Sequence, residues 1–424
     1  MSWREPILNH LDRDYTEPVR DTVWHNILLS GELKRITGEP PFQKLGRIKQ
    51  LGPAFHVYPG ATHTRLAHSF GVFHLAKLMI RKLITSPSCT PLSISGIKAF
   101  LLASLFHDLG HFPYAHSLKE LPLKDHEVLT GEIICREPIK SIIEKTVGID
   151  PVQVAAIVDT SLPAGNSKEI PFFRNILSGV LDPDKLDYLN RDAFFCGVPY
   201  GMQDIDYVVN KIVPHDTAGV AVVEQGVNAV ENVLFSKYLM YKTVYWHKTV
   251  RIATAMIKKA VLLALEKGSI RKEELYGIDD NQFADLFGGL GKNLTGLVEA
   301  VTNRNLYKVA LEIDYNERDL THQELTNLDT RRELEAKIAK KIEEMTGEAV
   351  PDTSVIIDIP EPISFEVDLP ISMPGGFTPF PEAESVFSSP MVAGFSESLR
   401  KLRLITPRHL LEKIPAGEAG SLLP

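Results

Sequence analysis

FLLASLFHDLGHFPYAH, residues Phe100 to His116, decides how this chain is read. An apolar run leads into His107-Asp108, and two more histidines, His111 and His116, follow at once. An imidazole beside a carboxylate at the end of a buried segment can hold one hard or borderline cation from a rigid base. His111 lies four residues after His107, so a helix that ran one turn further would put both rings on one face. Gly110 and Pro113 mark where that helix must stop. A His-Asp pair alone can be a surface hydrogen bond; three histidines and an aspartate behind an apolar helix point instead to a site.

The chain has 424 residues, 44% hydrophobic and 24% charged, within the range of soluble globular proteins. That length predicts two or three domains, or one large helical domain with an appendage. A net charge of −8 gives no general affinity for nucleic acid, so any cation at the site acts locally. Three cysteines, Cys89, Cys135 and Cys196, make neither a disulfide framework nor a zinc knuckle and suit a reducing compartment. MSWREPILNH lacks the apolar core of a signal peptide, and no stretch reaches the length of a membrane span. A cytoplasmic protein without membrane contact is expected.

Working outward, residues 1 to about 60 read as strand and loop followed by a helix near Pro41–Leu51, which Gly52-Pro53 ends. Thr64–Ile84 carries a helical apolar face, and Arg65 and His68 share its first turn. Ile94–His107 is apolar nearly all round, as in the centre of a bundle. Helices follow near His126–Arg136 and Pro151–Thr160. In LDPDKLDYLNRD, a helix from Asp184 would set Asp184, Tyr188, Arg191 and Asp192 along one stripe, with Leu186 and Leu189 facing the core. Asp187 and Arg191 have the spacing of an intrahelical ion pair. Val220–Val223 suggests a small hairpin, and Val227–Glu266 one long helix or two abutting ones. TRRELEAKIAKKIEEM reads as a solvated helix face, and from Val350 short proline-rich strands begin.

His68, His107-Asp108 and Asp184 fall in the order H…HD…D of the HD-domain phosphohydrolases. PFQKLGRIKQLG, YPGATHTRLAHSFGV, HDLGHFPYAHS, DPDKLDYLNRD and YKTVYWHK further resemble the dNTP triphosphohydrolase branch, which holds dGTPase-like and SAM-and-HD-domain enzymes. The resemblance runs from about residue 15 to about 310. It implies a mainly α fold, an HD-domain helical bundle with a small α+β C-terminal cap. The expected division is a lead-in segment 1–50, the HD metal-site core 51–212, a helical extension 213–349 that completes a nucleotide pocket, and the cap 350–424.

The same resemblance implies that His68, His107, Asp108 and Asp184 hold one divalent ion, whether Mn, Fe, Zn, Ni or Mg, since mixed nitrogen and oxygen ligands do not choose among them. It makes His116 the proton donor to the leaving oxygen, with His111 and His126 binding or orienting phosphate. His126 could also be a helix-start residue paired with Glu127. Arg65, Lys185 and Lys237 match cations that hold polyphosphate. Gln50, Leu51, Tyr188, Asp192 and Tyr245 match contacts to deoxyribose, Tyr245 at the place that disfavours a 2′-hydroxyl. The chain departs from the pattern at Lys237, where an arginine is expected, and at Tyr241, where a histidine near sugar and phosphate is expected. Lys119 replaces the carboxylate that follows the second histidine, with Glu120 next to it. For a nucleotide activator Gln43, Arg304 and Lys308 match, while Gly38 and Gly46 stand in place of an acid and an arginine.

The function implied is metal-dependent hydrolysis of dNTPs to deoxynucleoside and triphosphate by a homo-oligomer. The alternatives are the same chemistry on dNDPs, NDPs or monophosphates, or a nucleotide sensor with little turnover. Nucleic-acid binding is disfavoured by the acidic balance.

Overall fold

Ile94–Phe106 is the central helix of the computed structural model, which describes residues 3–423 other than 364, 366, 383, 384, 386, 388, 416 and 417. Ser93 starts this helix by accepting the Gly96 N–H at 2.9 Å. Phe100, Leu101, Leu102, Ala103 and Leu105 are fully buried, so beyond its exposed first turn the helix is apolar all round because it has no solvent face there. Each buried Leu or Phe of this kind contributes about 1.5–3 kcal/mol. The helix end, where His107 stands, is thereby fixed from behind. Helices Arg65–Thr85 and Pro151–Val158 pack on it, and helix Pro183–Cys196 packs on Arg65–Thr85. Mainly helical architecture with small sheets is what the sequence predicts.

Nine strands make three small sheets among the described residues. β1 (Tyr15–Asp21) and β2 (His25–Ser30) form an antiparallel hairpin. β3 (Ile212–His215) and β4 (Gly219–Val223) form a second hairpin, extended by β7 (Pro370–Met373) and β8 (Gly376–Pro379); its turn precedes Val220, whereas the Glu-Gln-Gly stretch after Val223, read as the hairpin turn in the sequence, is a 3-10 turn into the next helix. β4 and β7 run parallel, with Val222 opposite Ile371. β9 (Lys401–Thr406) lies between β5 (Lys308–Asp314) and β6 (Ile356–Asp358). The strands after residue 350 therefore enter two sheets and pair with strands that precede it.

Three local expectations need correction. A helix, Arg4–Arg13, precedes the first hairpin; only Ile7, His10 and Leu11 of it are buried, too few to mark it in the sequence. The helix expected near Pro41–Leu51 is a single α turn, Pro40–Gln43, running into 3-10 turns at Lys44–Arg47 and Gly52–His56. The central helix does not continue past His107, so His111 is not on its face. By contrast Val227–Glu266 does divide, into Val227–Met240 and Lys248–Glu266 around a wider turn at Tyr241–Tyr245. Among the described residues no helix is long and apolar enough to cross a membrane.

Glu120 ties three of these parts together. It accepts from Lys258 Nζ at 2.6 Å and from Arg331 Nη1 at 3.0 Å, joining the loop after His116 to helices Lys248–Glu266 and Leu328–Thr346. Burial would raise its pKa, but Lys258 and Arg331 outweigh burial and lower it from 4.5 to about 2. A carboxylate depressed in the folded state contributes stability that is present above the unfolded pKa and lost as pH falls through the folded one. The shift is on the order of 3 kcal/mol. The melting temperature should therefore fall between about pH 4.5 and pH 2, and Glu120→Gln should lower it at pH 7 while flattening that acid limb. Thermal melts of both proteins across this range check it; an unchanged acid limb in the variant would contradict the assignment.

Candidate active site

The last turn of the central helix ends inside the protein, and its carbonyls find side-chain partners. His107 Nδ1 lies 2.9 Å from the Ser104 carbonyl, and Thr130 Oγ1 donates to the His107 carbonyl at 3.0 Å. Lys44 Nζ, itself buried, donates to the carbonyls of Leu109 (3.1 Å) and His111 (2.7 Å). A cation here also suits the negative end of a helix. Burial is the main reason its pKa falls to about 8. Gly110 passes so close to the next helix that a Cβ would stand 2.1 Å from the His126 carbonyl oxygen. These contacts hold His107, Asp108 and His111 as one rigid turn.

His68, His107 and Asp184 come together in front of that turn, their ligand atoms all within 4.8 Å of one another. His68 Nδ1 is engaged by Asp187 Oδ2 at 2.7 Å, which leaves Nε2 facing Asp184 Oδ1 at 3.0 Å. His107 Nε2 is buried without a hydrogen-bond partner. Both rings therefore aim Nε2 at one point, with the other nitrogen held from behind, as metal-ligating histidines do. Burial acts against a charge on His68, yet the hydrogen bonds to Asp184 and Asp187 outweigh it and raise its pKa to about 10. Burial would raise the pKa of Asp184, but His68 and, behind it, His107 bring it down to about 2. The spot attracts positive charge, and a divalent ion fits the donor set. Asp108 stands at its edge: Oδ1 is 3.4 Å from His107 Nε2, and Oδ2 is 4.0 Å from His68 Nε2 while accepting from Arg65 Nη1 at 2.7 Å.

His111, His116 and His126 form a second group with ligand atoms within 4.8 Å. The His111 and His126 rings stack at 3.9 Å, and His116 lies 4.7 Å from His111. His111 is fully buried; its Nδ1 has no hydrogen-bond partner, and its Nε2 lies 3.2 Å from Asp108 Oδ1. Burial, reinforced by neighbouring histidines and Arg65, holds all three rings well below the usual histidine pKa. His126 opens helix His126–Ile134 and pairs with Glu127 at 3.2 Å, as its helix-start reading expects. His68, His107, Asp184, His116 and His126 line one cavity of about 940 Å³, while the fully buried His111 is not part of its lining.

At the other end of this cavity Tyr245 donates to Asp192 Oδ2 at 2.7 Å, and His63 Nε2 lies 2.8 Å from Asp192 Oδ1. Tyr188 and Tyr241 meet Tyr245 edge-on, at 6.2 and 5.0 Å. Gln50 and Leu51 line the same wall, and Gln50 Oε1 is buried without a partner. Asp184, Tyr188 and Asp192 share the expected stripe, but Arg191 does not. It turns away from the cavity to pair with Asp187 at 2.8 Å and with Asp21 at 2.8 Å. Lys185 and Lys237 also stay out of the cavity lining: Lys185 pairs with Asp182 at 2.7 Å, and Lys237 lies over the Phe365 ring at 5.4 Å. Glu120 serves Lys258 and Arg331 rather than a histidine.

Sequence reasoning missed the second role of Asp187. Its i, i+4 pair with Arg191 is present, but helical spacing gives no hint of His68, 119 residues away. It also missed His63, although that residue stands inside a quoted motif. Trp246 and the segment Ile359–Ile363 complete the cavity wall and carried no local signal.

A family model described as an HD associated region matches residues 204–389. An uncharacterized protein of Methanocaldococcus jannaschii is 31% identical over 300 residues, which covers 70% of this chain and 60% of that protein. The deoxynucleoside triphosphate triphosphohydrolase SAMHD1 of Bos taurus is 26% identical over 348 residues, covering 70% of this chain and 59% of that one. The chain thus spans about three fifths of the length of these relatives. A hypothetical protein from Aquifex aeolicus superposes with a TM-score of 0.72 at 26% identity, covering 96% of this chain and 99% of that structure. The matched region begins just after the helix that carries Asp184 and Asp192, where an HD-associated segment belongs if the preceding residues are the HD core; sequence, site and relatives agree, and the chain belongs to the HD-domain phosphohydrolase superfamily.

Proposed function

We propose that this chain hydrolyses deoxynucleoside triphosphates to deoxynucleoside and triphosphate with the help of one divalent ion. The observation that carries this reading is a pair of buried polar atoms without hydrogen-bond partners on residues of one cavity, His107 Nε2 and Gln50 Oε1, with Arg65 and His116 lining the same cavity. Buried polar groups left unpaired are costly, so these two mark what the cavity receives. His107 calls for a cation and Gln50 for a hydroxyl donor, while Arg65 suits an anion with several oxygens, which together are metal, sugar and phosphate. The relative that acts on deoxynucleoside triphosphates supports the choice of substrate.

His68, His107, Asp108 and Asp184 would hold the ion, which when bound acidifies water and polarises a phosphate oxygen. Arg65 stands beside Asp108 and meets the phosphates as a fixed charge. Water adds to the α-phosphorus and the bond to O5′ breaks, with His116 giving its proton to O5′. Although its ring is open to the cavity, the enclosed setting of His116, with His111 and Arg65 beside it, disfavours the protonated ring in the substrate-free site. A bound polyphosphate brings negative charge beside it, which favours the protonated ring a general acid needs. Asp192 and Gln50 receive the 3′-hydroxyl, and Tyr245, tied to Asp192, closes the space a 2′-hydroxyl would need.

A second reading has an observation of its own. Lys185 and Lys237, two of the three cations that the resemblance assigns to polyphosphate, lie outside the cavity lining, which favours a dNDP or monophosphate substrate. Product analysis decides, since triphosphate, pyrophosphate and phosphate name different reactions. A nucleotide activator at Gln43, Arg304 and Lys308 and assembly into a cytoplasmic homo-oligomer complete the proposal on family resemblance.

Asp184→Ala should lose both bound metal and hydrolysis while keeping its helical circular dichroism; full metal occupancy in that protein would remove Asp184 from the ligand set. His116→Ala should keep metal and nucleotide binding but slow turnover by roughly two to four orders of magnitude. Unchanged single-turnover rates would transfer the proton to another group, His126 first. Tyr245→Ala should narrow the preference for dNTPs over NTPs, measured as a ratio of kcat/KM. Equal cleavage of both sugars before and after the change would defeat the sugar assignment.

A further inference from the structure

The support behind His68 does not end at Asp187. Asp187 and Arg191 are fully buried, and both oxygens of Asp187 are occupied. Oδ2 faces His68 Nδ1 at 2.7 Å and accepts from Arg191 Nε at 2.8 Å. Oδ1 accepts from Arg191 Nη2 at 2.9 Å and from Trp24 Nε1 at 2.5 Å. Trp24 belongs to the turn between β1 and β2, and the next member of the chain of contacts is the last residue of β1. Asp21 pairs with Arg191 Nη1 at 2.8 Å through Oδ2, while its Oδ1 accepts the backbone N–H groups of Val23 and Trp24 at 2.9 and 2.8 Å. One carboxylate therefore shapes the hairpin turn, aims the Trp24 indole, and anchors Arg191.

We propose, on the reading that His68 holds the divalent ion, that Trp24 and Asp21 are positioning residues of the metal centre, acting through Asp187 and Arg191 to set the orientation of the His68 ring and its affinity for the ion. Three features support this. The two carboxylates share one guanidinium, so Asp187 is not neutralised by Arg191 and keeps negative charge for the His68 N–H. The donors around Asp187 come from both directions along the carboxylate, which leaves it a single orientation. The helix that carries His68 also makes room for the assembly: one turn on, at Gly71, a Cβ would stand 1.8 Å from Asp187 Oδ1 and 2.5 Å from Arg191 Nη2. A buried ion pair that served stability alone could be replaced by apolar side chains with little loss. Such a pair would not need an indole donor from a hairpin 163 residues away.

The test is metal affinity and ligand-field spectroscopy on the full chain. Metal-free protein is titrated with Mn²⁺ by calorimetry and with Co²⁺ by visible absorption, for Trp24→Phe, Asp187→Asn and, as a control on the same helix as His68, Arg81→Ala, which removes only an exposed pair with Asp12. Trp24→Phe keeps the ring and loses one donor to a charged acceptor; it should weaken the metal Kd roughly tenfold. Asp187→Asn should weaken it about 10- to 100-fold. Both should shift the Co²⁺ bands, and Arg81→Ala should move neither. Unchanged Kd and spectra in Trp24→Phe would overturn the inference, whatever happens to its melting temperature, and this variant decides the matter if Asp187→Asn does not fold. A wild-type protein that binds neither ion would overturn the metal reading itself, whereas unchanged binding among variants of a protein that does bind would overturn only the role of the hairpin.

Discussion

A helix that ends in the interior must find partners for its last carbonyls, because no water reaches them. That requirement, met at the end of Ile94–Phe106, is what the site depends on. Ser104, His107, Leu109 and His111 each have a carbonyl paired with a side chain: His107 itself, Thr130 and Lys44, the lysine serving two. The partners come from three separate segments, so satisfying the helix end also assembles them. His107 gains its ring orientation from the same bond that pairs the Ser104 carbonyl. Gly110 then lets the His126 helix approach the turn, which brings the second histidine group beside the first.

The frame of this arrangement was legible in the chain because it rests on local patterns. An apolar run, a stop signal and a His-Asp pair locate the central helix to within one residue of its end. Asp184 and Tyr188 could be placed on one helical face by counting alone. What could not be read was anything that depends on a partner far along the chain. The Asp187–Arg191 pair has the right spacing for a surface ion pair and gives no sign of lying in the core, between His68 and Asp21. Lys185 and Lys237 match phosphate contacts by resemblance yet turn to Asp182 and Phe365, choices that only the packed structure makes. The short Arg4–Arg13 helix failed for the opposite reason, since its pattern is too brief to stand out.

The cavity itself shows two balances of charge. Around the metal group, carboxylates outweigh burial and draw positive charge to His68. Around His111, His116 and His126, burial and Arg65 outweigh Asp108 and keep the rings neutral. Asp108 borders both groups and is held well below the usual carboxylate range by His111, His107 and Arg65 despite its burial. A ligand with a cation at one end and phosphate beside it matches this division better than a uniformly charged one.

The position of β9 between β5 and β6 bears on how the molecule is made. A ribosome delivers β5 well before its partner, since 87 residues separate Asp314 from Lys401. Until β9 arrives, β5 and β6 are unpaired edges, which are sticky toward other chains. The histidines and aspartates of the HD core are all synthesised by then, but Ile359, Glu361 and Ile363, which wall the cavity, follow β6 directly and settle only with that sheet. The nascent chain thus carries its candidate site residues before the segment that walls their cavity has a sheet to follow.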